Sequence, residues 1–215
     1  MALEIVTFVA GPIENNTYLV VDSGSGSAVV IDPSFEASQA AIYAQKKGWQ
    51  IQQIWLTHAH FDHFAGNGEL IRALPQPVST ALHSADLPLW REMGGAHDFG
   101  ITIDPGPKPD LLLEDHQLLT LGSLTFQVLH TPGHTPGCVV FHCTQEGVAF
   151  CGDTIFRGSV GRADFPGSNF QTLLASVHTR ILTLSPQTRL LPGHGEETTV
   201  ANEQRTNPFL QNLPG

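Results

Sequence analysis

Ile51 to Thr57 reads as a strand that runs without a spacer into His58-Ala59-His60-Phe61-Asp62-His63. In an extended segment, side chains two apart point to the same side, so His58 and His60 can meet one ion. The turn into the next helix swings Asp62 and His63 toward a second. Such a block makes two half-sites, and it constrains the fold because the rest of the chain must bring further ligands to the end of this strand. Three positions have the right character, each just past an expected strand and beside glycine. They are His134 in Thr131-Pro132-Gly133-His134-Thr135-Pro136-Gly137, Asp153 in Cys151-Gly152-Asp153, and His194 in Pro192-Gly193-His194-Gly195. Glycine before each lets the backbone turn sharply and present the side chain at the end of a sheet.

Strand-like and helical runs alternate along the chain. Glu4 to Ala10, Tyr18 to Asp22 and Ala28 to Ile31 read as strands, with Ser23-Gly24-Ser25-Gly26 a hairpin turn. Phe35 to Lys47 suits a helix, with Ser34 as its N-cap and Gly48 as its stop. A helix over about Phe64 to Leu74, a strand over Val78 to Leu82 and a helix over Ala85 to Met93 follow the histidine block. Gly94 to Pro109 is rich in Gly and Pro and has little periodicity, which fits either a lid over a pocket or a passive surface loop. The second half repeats the pattern. Leu118 to Thr120 with Leu124 to Leu129, and Cys138 to Cys143 with Val148 to Cys151, read as hairpins. Asn169 to Leu182 is helical, Arg189 to Leu191 a strand, and Thr199 to Gln204 a short last helix. Two blocks of strands, each followed by helices, suggest two sheets face to face with helices outside, an α/β or α+β arrangement. No linker divides residues 1–215, so a single domain is expected.

Composition removes several functions. Lys and Arg total 10 against 20 Asp and Glu, giving a net charge of −10, and no basic stretch extends beyond Lys46-Lys47. Nucleic-acid binding needs a concentrated basic face, so no nucleic-acid partner is expected. The N-terminus has no basic stretch before an apolar core, and no apolar run approaches a membrane span of about 18 residues. A cytoplasmic protein with no membrane partner is the expectation. Cys138, Cys143 and Cys151 are odd in number and outside CxxC spacing, and so read as reduced thiols.

Taken in order, His58-x-His60-x-Asp62-His63, His134, Asp153 and His194 resemble the metallo-β-lactamase-fold superfamily. The resemblance implies a four-layer αββα sandwich with a two-metal site at one edge of the sheets. It also implies that His58, His60 and His134 hold the first metal, that Asp62, His63 and His194 hold the second, and that Asp153 bridges them. Lactamases of the superfamily lack the bridging aspartate that Asp153 supplies, which disfavours antibiotic hydrolysis. RNA-processing members carry large insertions or basic arms that this chain lacks. Gly152 to Phe165, with Asn207-Pro208-Phe209, is similar to hydroxyacylglutathione hydrolases, the type II glyoxalases, in their short bacterial form. Longer type II glyoxalases have a C-terminal helical region that supplies glutathione contacts. Here only 21 residues follow His194, so the chain is expected to lack that region.

This resemblance implies hydrolysis of the thioester of a 2-hydroxyacylglutathione such as lactoylglutathione. Two divalent ions lower the pKa of a shared water toward neutrality and stabilise the oxyanion. Asp62 orients the resulting hydroxide while ligating. His and carboxylate donors suit zinc, iron and manganese alike. Arg157 and Arg162 are candidate contacts for substrate carboxylates, set against pairing with a nearby acid such as Asp164. His83, His97, His116, His130, His142 and His178 lie outside the ligand pattern. His130, Thr57 and Thr135 are close enough in sequence to support ligands. Two other functions fit the same residues. One is a persulfide dioxygenase of the superfamily, which binds a single iron through positions matching His58, His134 and Asp153. The other is a metal-binding regulatory module without turnover. Oligomeric state is left open by the sequence.

Overall fold

The computed structural model describes residues 2–211, and its strands form two six-stranded sheets. The first holds β1 (Leu3–Ala10), β2 (Asn15–Asp22), β3 (Ser27–Ile31), β4 (Gln50–Trp55), β5 (Ser79–His83) and β6 (Leu111–Leu113) in sequence order. β1, β2 and β3 pair antiparallel, and β3 to β6 pair parallel. The second sheet contains β7 (Leu118–Leu121), β8 (Leu124–His130), β9 (Val139–Cys143) and β10 (Val148–Gly152) as an antiparallel run. After a small separate hairpin of β11 (Ile155–Phe156) and β12 (Ser159–Val160), β13 (Arg189–Pro192) joins β10 in parallel and β14 (Thr198–Thr199) closes the edge.

Alternation within strands builds the layers. Tyr18 and Val20 of β2 enter an apolar cluster shared with Trp55, Phe126, Phe141 and Phe150, while Leu19 and Val21 face a second cluster. Successive side chains on a strand point to opposite faces, so a strand covered on both sides needs a continuous apolar run. Val148 and Phe150 of β10 join the same central cluster, while Ala149 and Cys151 face a third. The second cluster is completed by α1 (Ser38–Lys47) and α2 (Asn67–Ala73), through Ala40, Ala44 and Leu70. α3 (Leu87–Arg91) follows β5. The third cluster is completed by α4 (Phe170–Ser176) and α5 (Val200–Thr206), through Leu173 and Val200. Helices outside two facing sheets give the αββα sandwich that the resemblance implies.

Three helices begin later than their composition suggests. α1 starts at Ser38 and not Phe35, because the Ser34 amide donates to Thr17 Oγ1 and Glu36 takes a left-handed φ of 59°. Ser34 is therefore not its N-cap, a position that Ala37 fills. The helix expected from Phe64 becomes a 3-10 turn over Phe61–His63, followed by α2 from Asn67. Gly66 lies against Ser34, where an added Cβ would stand 1.9 Å from its carbonyl oxygen. The helix expected over Ala85 to Met93 is reduced to a 3-10 turn and α3. Gly48 does stop α1 in the left-handed region, and all three cysteines are free and buried. Among the described residues no helix is long and apolar enough to cross a membrane.

Candidate metal centre

Four chain segments end at one edge of the sandwich. His58 to His63 follows β4, His134 lies between β8 and β9, Asp153 follows β10, and His194 follows β13. Backbone hydrogen bonds stitch these ends together: Val139 N–H to Thr57 O at 2.8 Å, Gly193 N–H to Gly152 O at 2.8 Å, and Asn16 N–H to Gly193 O at 2.7 Å. Gly152 has a φ of 47°, and a Cβ there would stand 2.3 Å from Thr57 Oγ1. Gly193 serves by lacking bulk, since a Cβ would come within 2.5 Å of both Asp153 Oδ1 and His63 Cε1.

All seven ligand candidates converge. His58, His60 and His134 bring one ligand atom each within 4.8 Å of one another; His58, His63 and Asp153 form a second such group, and Asp62, His63 and His194 a third. Asp153 lies between the two expected positions. Its Oδ2 is 3.4 Å from His134 Nε2, while its Oδ1 is 3.3 Å from His63 Nε2 and 3.8 Å from His194 Nε2. Asp62 Oδ2 is 3.1 Å from His194 Nε2 and 3.4 Å from His63 Nε2. Ligand atoms about 3.4 Å apart are what bonds of about 2.1 Å in a tetrahedral sphere require.

The far side of four imidazoles is held by the protein. His63 Nδ1 meets Asp32 Oδ2 at 2.9 Å, and His134 Nδ1 donates to the Arg162 carbonyl at 2.6 Å. His194 Nδ1 donates to the Ile13 carbonyl at 3.0 Å, and His58 Nδ1 lies 3.1 Å from Thr57 Oγ1. Each of these rings therefore turns Nε2 inward, the support that ligating histidines generally have. Asp32 is one residue of the centre that the sequence does not reveal. Buried and at a φ of 51°, it also accepts from the Thr57 amide and hydroxyl, both at 2.7 Å. Its only sequence signal is an Asp-Pro pair closing a strand.

Local electrostatics match ligand chemistry. Burial, helped by neighbouring imidazoles, holds His58 well below the usual histidine range and pulls His60 down to about 3, so both rings stay neutral. Burial also opposes a charge on His63 and His194, but Asp62 and Asp153 outweigh it and raise both. Burial pushes the Asp62 and Asp153 carboxyls up, while His63 and His194, joined at Asp153 by His134, together outweigh it and keep both low. Among the described residues, His58 Nε2, His63 Nε2 and Asp153 Oδ1 are buried without a hydrogen-bond partner. An unsatisfied buried polar atom costs about 1–3 kcal/mol, so three facing one space fit cations there. The donor set fits divalent ions with nitrogen and oxygen preference.

The mouth is partly aromatic. Phe165 packs 5.2 Å from the His60 ring and Phe156 6.1 Å from the His194 ring. Arg162 stacks 4.4 Å over Phe165 and forms a two-pronged pair with Asp164, at 3.0 and 2.8 Å. Arg157 is paired with Glu196. Thr135 and His130 support no ligand directly: the Thr135 hydroxyl donates to Asp86, and His130 stacks on His83 and meets the Pro136 carbonyl. The Gly94 to Pro109 segment is fastened outside the histidine block. Phe99 packs 5.4 Å from Phe61, the Asp104 carbonyl accepts from Gly68, and its carboxylate pairs with Arg72.

Residues 10–194 match the family described as the metallo-beta-lactamase superfamily. A hydroxyacylglutathione hydrolase GloC of Haemophilus influenzae is 32% identical over 98% of this chain and 98% of its own length. A crystal structure of TTHA1623 in a di-iron-bound form is 42% identical, with a TM-score of 0.86 over 95% of this chain and 100% of that one. A crystal structure of the BLEG-1 B3 metallo-beta-lactamase is 34% identical, with a TM-score of 0.90 over 97% of this chain and 100% of that one.

Proposed function

The chain belongs to the metallo-beta-lactamase superfamily, and from that premise we propose that it is a two-metal hydrolase cleaving the thioester of a 2-hydroxyacylglutathione such as lactoylglutathione. The observation that carries this reading is the position of Asp153, whose two oxygens face different sets of imidazoles. His58, His60 and His134 would hold one ion and Asp62, His63 and His194 the other, with Asp153 between them. The di-iron form of a 42% identical protein supports two ions, and the GloC relative supports the substrate class.

When bound, two divalent ions would acidify a shared water and polarise the thioester carbonyl. Asp62, 5% exposed and engaged through Oδ2 by His63 and His194, is placed to orient that water. Phe156 and Phe165 wall the mouth beside His194 and His60 and limit water around the scissile bond. The leaving thiol has a pKa near that of cysteine, about 8.5, so no strong general acid is required. Arg157 and Arg162 would take substrate carboxylates by exchanging Glu196 and Asp164. Those pairs lie at the surface, where solvent screening leaves an ion pair little net strength.

Purified protein loaded with zinc, iron or manganese, with its metal content counted, should hydrolyse lactoylglutathione in preference to a β-lactam. One iron per chain with oxygen uptake dependent on glutathione persulfide would replace this reading with a dioxygenase. No turnover of any thioester, lactone or phosphodiester by the loaded protein would replace it with a binding module.

A further inference from the structure

Asp86 occupies the N-cap position of α3, with proline in the first turn behind it. An aspartate there ordinarily accepts a hydrogen bond from the first-turn amides of its own helix. Asp86 makes no such bond. Its fully buried carboxylate turns between two other segments instead. Oδ2 accepts from the Ala59 amide at 2.9 Å and the Thr135 hydroxyl at 2.7 Å, and Oδ1 accepts from the Gly137 amide at 2.6 Å. Ala59 lies between His58 and His60, and Thr135 follows His134. One carboxylate thus ties together the two segments that carry the first three imidazoles, although one segment leaves the first sheet and the other connects strands of the second.

The cradle is closely shaped around it. A Cβ at Gly137 would stand 2.6 Å from Asp86 Cγ. The other ligand set has separate supports, Asp32 behind His63 and the Ile13 carbonyl behind His194. Any effect of Asp86 on metal binding should therefore be one-sided. We propose that Asp86 is a positioning residue of the metal centre, fixing the distance between the His58–His60 segment and His134 and so the affinity of that position alone. The inference rests on the metal-binding part of the function proposed above and is independent of the substrate.

Asp86→Asn keeps the shape but offers one acceptor oxygen where three donors converge, so at least one backbone N–H loses its partner. Thr135→Val removes only the hydroxyl donor and tests the same link if the first variant does not fold. Both would be compared with the wild type by zinc titration against a competing chelator and by anomalous scattering from zinc-loaded crystals. The expected result for Asp86→Asn is about 10–100-fold weaker zinc binding at His58–His60–His134, with Asp62–His63–His194 changed less than about threefold. Thr135→Val should act in the same direction by about 2–10-fold. Equal weakening of both positions would reduce Asp86 to a general structural role, and unchanged binding in a folded variant would remove its role altogether. A wild type that binds no zinc would overturn the metal reading itself, an outcome distinct from either of these.

Discussion

Asp32 concentrates more of the centre's geometry than any ligand does, because one carboxylate orients His63 and fixes both the amide and hydroxyl of Thr57. Asp32→Asn should lower metal affinity by about 10–100-fold, measured by chelator competition. A change below about threefold would mean that His63 is held by other contacts. His63 and His194 are raised by Asp62 and Asp153 against burial, so in the metal-free protein they retain protons above the usual histidine range. Metal loading has to displace those protons. Loading in weakly buffered solution should therefore release protons, and apparent affinity should rise with pH until both rings are deprotonated; a pH-indicator titration checks this. The ligands were legible because four fall within the six residues 58–63 and each of the others sits beside glycine after a strand. Asp32 and Asp86 were not, since their partners lie 25 to 51 residues away and only the folded chain brings them together.

At the level of elements, strands were read well and helix starts poorly. Strand alternation survives because both faces of each central strand are buried, whereas Phe35 and Phe64 begin segments whose backbone is captured by tertiary contacts before a helix forms. β6, β11, β12 and β14 have two or three residues each and offer too short a pattern to read. The Asn207-Pro208-Phe209 segment gains a physical reason. Glu203, fully buried, accepts from the Gly158 amide at 2.8 Å, Thr198 Oγ1 at 2.6 Å, and Asn202 and Asn207 Nδ2 at 2.9 Å each. Asn207 also donates to the Ser159 carbonyl at 2.9 Å, so α5 and its exit clamp the β11–β12 hairpin beside His194. Glu203→Ala should cost at least about 2 kcal/mol in urea unfolding, because several donors lose one acceptor together. A loss under about 0.5 kcal/mol would show that the hairpin is held without it.

Across the whole molecule, the facing sheets are joined at their turns as well as through the aromatic core. Asp22, the last residue of β2, accepts from the Ser123 amide of the β7–β8 turn at 2.8 Å, as well as from Ser25 and Gly24. The Ser123 amide, aided by Ser25 and Gly24, holds this carboxyl below the ordinary 3.8. A depressed folded value favours the ionised form, so the stability it contributes is present above pH about 4 and lost as pH falls through the folded value. Asp22→Asn should lower stability at pH 7 and flatten its decline below pH 4, followed by urea unfolding across pH. An equally steep decline in the variant would assign the acid sensitivity elsewhere. The outer nitrogens of His58, His63, His134 and His194 are all engaged by protein atoms, and this has a consequence for the living cell. A centre whose rings are already aimed can exchange its ions without refolding, and imidazole with carboxylate accepts several metals. Which chemistry the protein performs would then follow the supply of iron, zinc or manganese around it, with the chain itself unchanged.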